Sequence, residues 1–303
     1  MRANAASSAC PLKFLGIISM PYPRIIILTS LAMFAFAGNS LLCRAALKHT
    51  SIDAASFTTI RLISGALMLW LVVRVRSGTH SGSGNWLSAF ALFVYAAGFS
   101  FAYVSLPAAT GALLLFGAVQ ATMIVHGIWA GERMQKLQLL GLVLALAGLV
   151  GLLLPGLSAP PVIGSLLMLG AGVAWGVYSL RGRGAGDPTR VTAGNFLRAV
   201  PIAAALSVIM FDRTSLDSAG IWYAVASGAL ASGIGYAIWY TALPALKAAK
   251  AATVQLSAPV IAALGGIVFL GEPLTLRLVL SSAAILGGIA LVILEKRQAS
   301  GSR

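Results

Sequence analysis

Residues 243–273 read LPALKAAKAATVQLSAPVIAALGGIVFLGEP. The stretch opens on Leu-Pro-Ala, carries Pro259 in its middle and stops at Gly271-Glu272-Pro273. A near copy stands at residues 106–133, LPAATGALLLFGAVQATMIVHGIWAGER. Pro107 answers Pro244, Tyr103 answers Tyr240, and Gly131-Glu132 answers Gly271-Glu272. The copies lie about 140 residues apart, so the repeat is half the chain rather than a short stacked unit.

The register extends outward from these two stretches. At an offset of 137, Arg44 aligns with Arg181 and Arg61 with Arg198. After three extra residues in the second copy, Glu132 aligns with Glu272 and Gly148 with Gly288.

The chain has 303 residues, 59% apolar and 9% charged. A soluble chain is about 25% charged. One membrane-spanning helix needs about 20 mostly apolar residues. Ten such stretches follow one another: 24–43, 54–75, 86–106, 108–130, 137–154, 162–180, 191–211, 219–240, 248–270 and 274–294. They are continuous apolar runs, so they read as helices rather than the alternating strands of a barrel. The expected fold is an all-α integral membrane protein. Residues 24–155 and 161–296 form its two halves, and 297–303 form a tail. Residues 1–23, interrupted by Pro11 and Lys13, read as an unstructured extension, with Met20 just before the first span.

Fifteen of the 21 Lys and Arg residues fall on one side when the N-terminus is placed in the cytoplasm. Four fall on the other side (Arg44, Lys48, Arg213 and Arg277) and two, Arg61 and Arg198, lie inside spans. The positive-inside rule then puts both termini in the cytoplasm. Five spans per half is an odd number, so the second half sits upside down relative to the first. Inverted repeats of this kind belong to transporters, with the substrate site near the midplane between them. The net charge of +14 is spread over membrane-edge loops, which excludes a nucleic-acid face. Cys10 and Cys43 form no metal-ligand or disulfide pattern. No cofactor or metal site is expected.

The span order, the two five-span repeats and the Gly-Glu pairs closing the fourth and ninth spans resemble the drug/metabolite transporter superfamily, and within it the EamA family of inner-membrane exporters. The resemblance covers residues 23–296. It implies a small-molecule cargo such as an amino acid or another small metabolite, a multi-pass location in the inner membrane, and a pathway formed by spans one, three, four, six, eight and nine. One departure stands out. Family members usually carry a proline in the fourth span, where this chain has Val119 followed by Gln120.

The candidate residues are few. Arg61 and Arg198 sit about eight residues into their spans, roughly 10–12 Å deep at 1.5 Å per residue. A charge there costs about 2.5–3.5 kcal/mol on insertion scales, so it faces a cavity, a partner or helix-end carbonyls. Either the pair meets an anionic group on the cargo or it braces the fold. Glu132 and Glu272 are gating carboxylates or caps of tight hairpins. Pro107 and Pro244 are candidate hinges, and Pro259 a candidate break in the ninth span. The amides Asn39, Gln120 and Gln255 either line a polar path or bridge helices. His126 is the histidine within a span, a candidate for proton coupling or a satisfied hydrogen-bonding group. Tyr95, Tyr103, Trp175, Tyr178 and Tyr240 form either an aromatic wall for the cargo or helix packing. Gly141, Ala145 and Gly148 stripe span five, and Ala284 and Gly288 stripe span ten, which suits a scaffold or a homodimer surface around a protein that otherwise acts as a monomer. A membrane-embedded lipid enzyme would need a catalytic set at the membrane edge, and the loop residues Asp53, Asp187, Asp212 and Asp217 are scattered singly. The same pattern of spans is compatible with transport of a drug, a cation, a nucleoside or a sugar, and with a non-transporting scaffold.

Overall fold

The computed structural model describes residues 21–76, 82–131, 135–154, 156, 159–182, 186–246 and 254–301. Glu132 and most of the expected N-terminal extension lie outside them. The described chain is helical, without a strand. Its helices are α1 (Tyr22–His49), α2 (Ala54–Val75), α3 (Trp86–Tyr103), α4 (Ala108–Trp129), α5 (Lys136–Leu153), α6 (Val162–Arg181), α7 (Pro188–Ile209), α8 (Ser218–Ala242), α9 (Ser257–Leu270) and α10 (Leu276–Gly301). Among the described residues the first eight are long and apolar enough to cross a membrane, while α9 and the apolar part of α10, Leu276–Val292, are shorter.

The sequence writes the helix starts in short polar residues. Asp53 accepts from the backbone N–H groups of Ala55 and Ser56, Asn85 from Ser88, Asp187 from Arg190, and Asp217 from Ala219 and Gly220. Each cap satisfies donors that the first helical turn leaves free. The expected break at Pro259 takes a particular form. Pro259 is the third residue of α9, in the first turn, where its missing N–H is not needed. The aligned α4 carries Val119 instead and runs unbroken. At its other end α9 stops on Gly271, whose φ of 61° is left-handed. The Gly271 N–H returns to the Gly266 carbonyl, the six-residue closure of a glycine-capped helix, and the Glu272 N–H reaches the same oxygen at 3.0 Å. Gly131, its counterpart, also has positive φ, 87°. At Gly271-Glu272 the motif is therefore a helix stop that turns the following carboxylate back toward the bundle.

One expected boundary is corrected. Arg44 and Lys48, assigned to a loop, lie in the last turns of α1, which runs six residues past its expected end. Arg44 is buried there, and its ion pair with Glu272 explains how a cation sits inside the fold.

The halves interlock in exchanged pairs. Contact of α3 with α6 is matched by α1 with α8, α4 with α6 by α1 with α9, and α3 with α7 by α2 with α8. The equivalent helices α2 and α7, α4 and α9, and α5 and α10 also touch. The small-residue stripes meet each other within this chain. A Cβ on Gly141 would come 2.5 Å from the Gly288 carbonyl, and one on Gly148 would come 2.8 Å from the Ala284 methyl. Close backbone approach of this kind is how helices associate in lipid, where no hydrophobic force drives them together. These glycine faces are occupied inside the protein.

A buried arginine between the two halves

Arg61 is 1% exposed and sits among side chains from both halves. Its Nη2 donates to the Tyr95 hydroxyl at 3.0 Å. Asn39 Nδ2 donates to the same oxygen at 3.3 Å, and the Ser227 hydroxyl donates to Asn39 Oδ1 at 2.6 Å. The chain of bonds thus runs α2, α3, α1, α8. The guanidinium also lies over two rings, 4.8 Å from the Phe99 centroid and 5.3 Å from that of Tyr95. Its Nε and Nη1 have no hydrogen-bond partner in the protein. No carboxylate among the described residues pairs with it.

Helix α8 is shaped to this spot. Residues Ala226–Ile234, ASGALASGI, form a π-helical segment. Such widened turns put extra backbone at functional places. A Cβ on Gly228 would collide with the Arg61 carbonyl oxygen, so only glycine lets α8 cross α2 here.

An aromatic wall continues from Tyr95. Trp175 lies 4.7 Å from Tyr95 and stacks at 5.2 Å on both Tyr178 and Tyr236, with interplanar angles of 26°. Tyr236 also meets Phe36, Phe196 and, at 6.5 Å, Tyr240. Of the residues singled out in the sequence, the structure gathers Asn39, Arg61, Tyr95, Trp175, Tyr178 and Tyr240 into this cluster. Tyr103 adjoins it through Phe99 at 4.7 Å and donates to the Ala108 carbonyl.

The rest are placed elsewhere. Arg198 is half-buried, and its Nη1 donates to the carbonyl oxygens of Gly194, at 3.0 Å, and Ser83. It holds the segment before α3 against α7. Gln120 is buried in α4 with its Nε2 unpartnered, and Gln255 is half-buried before α9. His126 is exposed on the last turns of α4. Pro107 caps α4, and Pro244 stands in the short turn Leu243–Ala245. Pro259 is buried at the start of α9.

Glu272 joins a second constellation, at the end of the bundle where α1, α3 and α9 finish. Its Oε1 accepts from Arg44 Nε at 3.2 Å, and its Oε2 accepts from the Ala108 N–H at 2.7 Å. Arg44 Nη1 in turn donates to the carbonyls of Tyr103 and Val104. The carboxylate therefore sits at the N-terminus of α4 and the guanidinium at the C-terminus of α3, each at the helix pole that favours its charge. The pair joins the halves. Nearby, Asp53 and Ser215 exchange two backbone-centred bonds of 3.0 Å, and Asp217 accepts from the Ser51 N–H. Burial works against the Asp53 charge. Hydrogen bonds from the Ser56 side chain and from the backbone of Ser56, Ser215 and Ala55 outweigh it and hold the carboxyl below its usual range. Asp217 is likewise lowered, first by the Ala219 N–H.

At the opposite end, among the described residues, two arginines are tied to neutral acceptors. Arg76 reaches the hydroxyls of Thr189 and Thr241, and Arg181 Nε donates to the Ser88 hydroxyl at 3.3 Å. Sequence reasoning missed Ser227, Phe36 and the Arg44–Glu272 pair. The pair did leave a signal, since the side assignment put Arg44 and Glu272, of opposite charge, at one membrane face.

Comparisons with known proteins agree with this architecture. A Pseudomonas aeruginosa protein described only as uncharacterized is 60% identical over 275 residues, 90% of this chain and 96% of its own length. The threonine/homoserine exporter RhtA of Salmonella typhimurium is 36% identical over 152 residues, 48% of this chain and about half of that protein. A solved protein structure with 21% identity superimposes with a TM-score of 0.65 over 91% of this chain and 99% of its own, which shows a shared fold. The model of the EamA-like transporter family matches twice, at residues 23–154 and 162–294. The gap between the matches falls in the link from α5 to α6, where the sequence repeat divides the protein, and the chain is accordingly a transporter of the EamA-like family, not an enzyme.

Proposed function

We propose that this protein exports a small metabolite, an amino acid or a related compound, across the inner membrane by alternating access between two inverted halves. The observation that carries this reading is Arg61, buried between the halves with two N–H groups free of protein partners. A buried, unpaired cation costs several kcal/mol. Two ring faces return about 2 kcal/mol each when desolvated. A ligand that supplies acceptors balances the remainder. Groups from α1, α2, α3, α6 and α8 meet at this cluster, as a site exposed alternately by two rocking halves requires.

The chain crosses the membrane ten times in this reading, with α9 and α10 as the last two spans and both termini cytoplasmic. The 15-to-4 distribution of Lys and Arg supports that orientation. The exchanged contact pairs support a two-fold relation, and five spans per half make it an inversion. The Arg44–Glu272 end is then the outer face. RhtA, alike over half its length, is named for export of threonine and homoserine, which supports an amino-acid-like cargo. A cationic drug fits less well, because it would face the Arg61 charge.

The test is counterflow. Purified protein in liposomes is preloaded with an unlabelled solute and offered the labelled one, with amino acids, their deaminated acids, nucleosides and sugars run separately. Saturable uptake of one class is expected. Absence of uptake for every class would end the transporter assignment of this site.

A further inference from the structure

The charge balance around Arg61 is lopsided. Every acidic residue whose side chain is described is spent elsewhere. Asp53, Asp187 and Asp217 cap helices, Asp212 lies in the short turn after α7, and Glu272 is held by Arg44 and the Ala108 N–H. The side chains that act most on Arg61 are two phenols, Tyr95 and Tyr236, and the Cys43 thiol, none of them a carboxylate. The cluster therefore holds one fixed positive charge and no described counter-charge.

From this we infer that the Arg61 site takes a monocarboxylate with a flat, apolar body, and favours it over the amino acid of the same skeleton. The inference rests on the transport reading above and narrows its cargo. A monoanion brings the closed site to zero net charge. A zwitterion leaves it at +1 and adds an ammonium group that also needs partners. Net charge enclosed in a low-dielectric interior is expensive, whereas a paired charge with its hydrogen bonds satisfied is tolerated. The free Nε and Nη1 are donors on one guanidinium, and an ionised carboxylate is the acceptor that a guanidinium binds with strong, charge-assisted hydrogen bonds. Beside them Tyr95, Trp175 and Tyr236 form an aromatic wall, 4.7 and 5.2 Å between successive ring centroids. That wall suits a flat apolar body, and it offers an ammonium only a weak ring attraction in competition with the Arg61 guanidinium already seated over Tyr95 and Phe99. Arg61 is closed off in this conformation, so the ligand enters when the halves part.

The experiment uses three probes with one phenyl ring and the same chain: 3-phenylpropanoate, phenylalanine and 2-phenylethylamine. Binding to the full-length protein in detergent is measured by calorimetry, with thermal melts to show that each variant is folded. The expected result is 3-phenylpropanoate at least about ten-fold tighter than phenylalanine, and no binding of 2-phenylethylamine. Arg61→Gln should lose the preference and Arg198→Gln should keep it. If Arg61→Gln fails to fold, Arg61→Lys retains the charge and should keep the order of the probes while weakening the first. Phenylalanine binding as well as or better than 3-phenylpropanoate overturns the inference and leaves the transporter reading standing. So does failure of all three probes in a protein that shows counterflow of some other solute. Failure of counterflow for every solute class overturns the transporter reading itself.

Discussion

Arg61 and Arg198 occupy the same position in the two copies of the repeat, yet they meet different surroundings. Arg61 is enclosed by Asn39, Tyr95 and Phe99. The residues at the same offset of 137 in the other copy are Gly176, Ser232 and Tyr236. An amide has become a glycine. A tyrosine hydroxyl long enough to reach the guanidinium has become a serine, whose buried Oγ is without a protein partner. With nothing in the second copy to hold it inward, Arg198 turns to the carbonyls of Ser83 and Gly194. A repeat therefore keeps where a charge starts from, while its neighbours decide whether it stays buried between the halves or turns out to brace a loop. The ends of the bundle teach the same lesson. Arg44 and Glu272 close one end with a buried ion pair, whereas Arg181, the counterpart of Arg44, is exposed and bonded to a serine hydroxyl.

The comparison can be broken most severely at the ion pair. Glu272→Ala leaves Arg44 buried without its counter-charge and frees the α4 N-terminus. Losing one partner of a buried pair costs about 3–5 kcal/mol. A clear fall in melting temperature in detergent is the expected outcome, against little change for Arg181→Ala. Equal losses for the two would mean that the ends are equivalent in solution.

A second, smaller effect separates the two clusters. Tyr95→Phe keeps the ring under the guanidinium and removes the oxygen shared by Arg61 and Asn39. A hydrogen bond to a charged group contributes about 1.5–3 kcal/mol, so apparent substrate affinity in counterflow should fall about ten-fold or more. Ser232→Ala, at the aligned place, removes a hydroxyl that bonds nothing in the protein and should be close to neutral.

The overall plan of the molecule is legible in the amino-acid sequence. The ten apolar runs, their register at 137 and then 140 residues, and the Gly-Glu stops are all visible there. The stops are visible because a left-handed helix end demands glycine, as at Gly271. The grouping of Asn39, Tyr95, Trp175 and Tyr178 around Arg61 is only partly legible. Polar and aromatic residues in a span announce themselves by type, but which face they occupy depends on how helices cross. The role of Arg198 stays open in the sequence because a repeat equates positions and says nothing of their neighbours. Ser227 escapes notice because it lies in a run of small residues, and only the π-helical turn aims it at Asn39.

The smallest expected effect concerns the loops that zip the Arg44–Glu272 end. The folded Asp53 carboxyl is held below its ordinary value near 4. Its stabilising contribution is therefore fully present above about pH 4 and is lost as pH falls through the lower folded value. Asp53→Ala should lower stability by about 0.5–2 kcal/mol, the usual worth of an N-cap. That difference should be constant between roughly pH 5 and 8, and shrink toward about pH 3. Melting curves across that range check it. A difference that grows on acidification would contradict the sign.

The most direct measurement is counterflow by Arg61→Gln and Arg198→Gln, reconstituted side by side at equal protein and with melts matched to the parent protein. The two copies play different parts in this account. Arg61→Gln should therefore lose transport about ten- to hundred-fold, from the roughly 1.5–3 kcal/mol carried by a charge-assisted hydrogen bond, and Arg198→Gln should retain most of it. Equal loss in both variants, or a larger loss at Arg198, would contradict the assignment of the binding charge to the first copy.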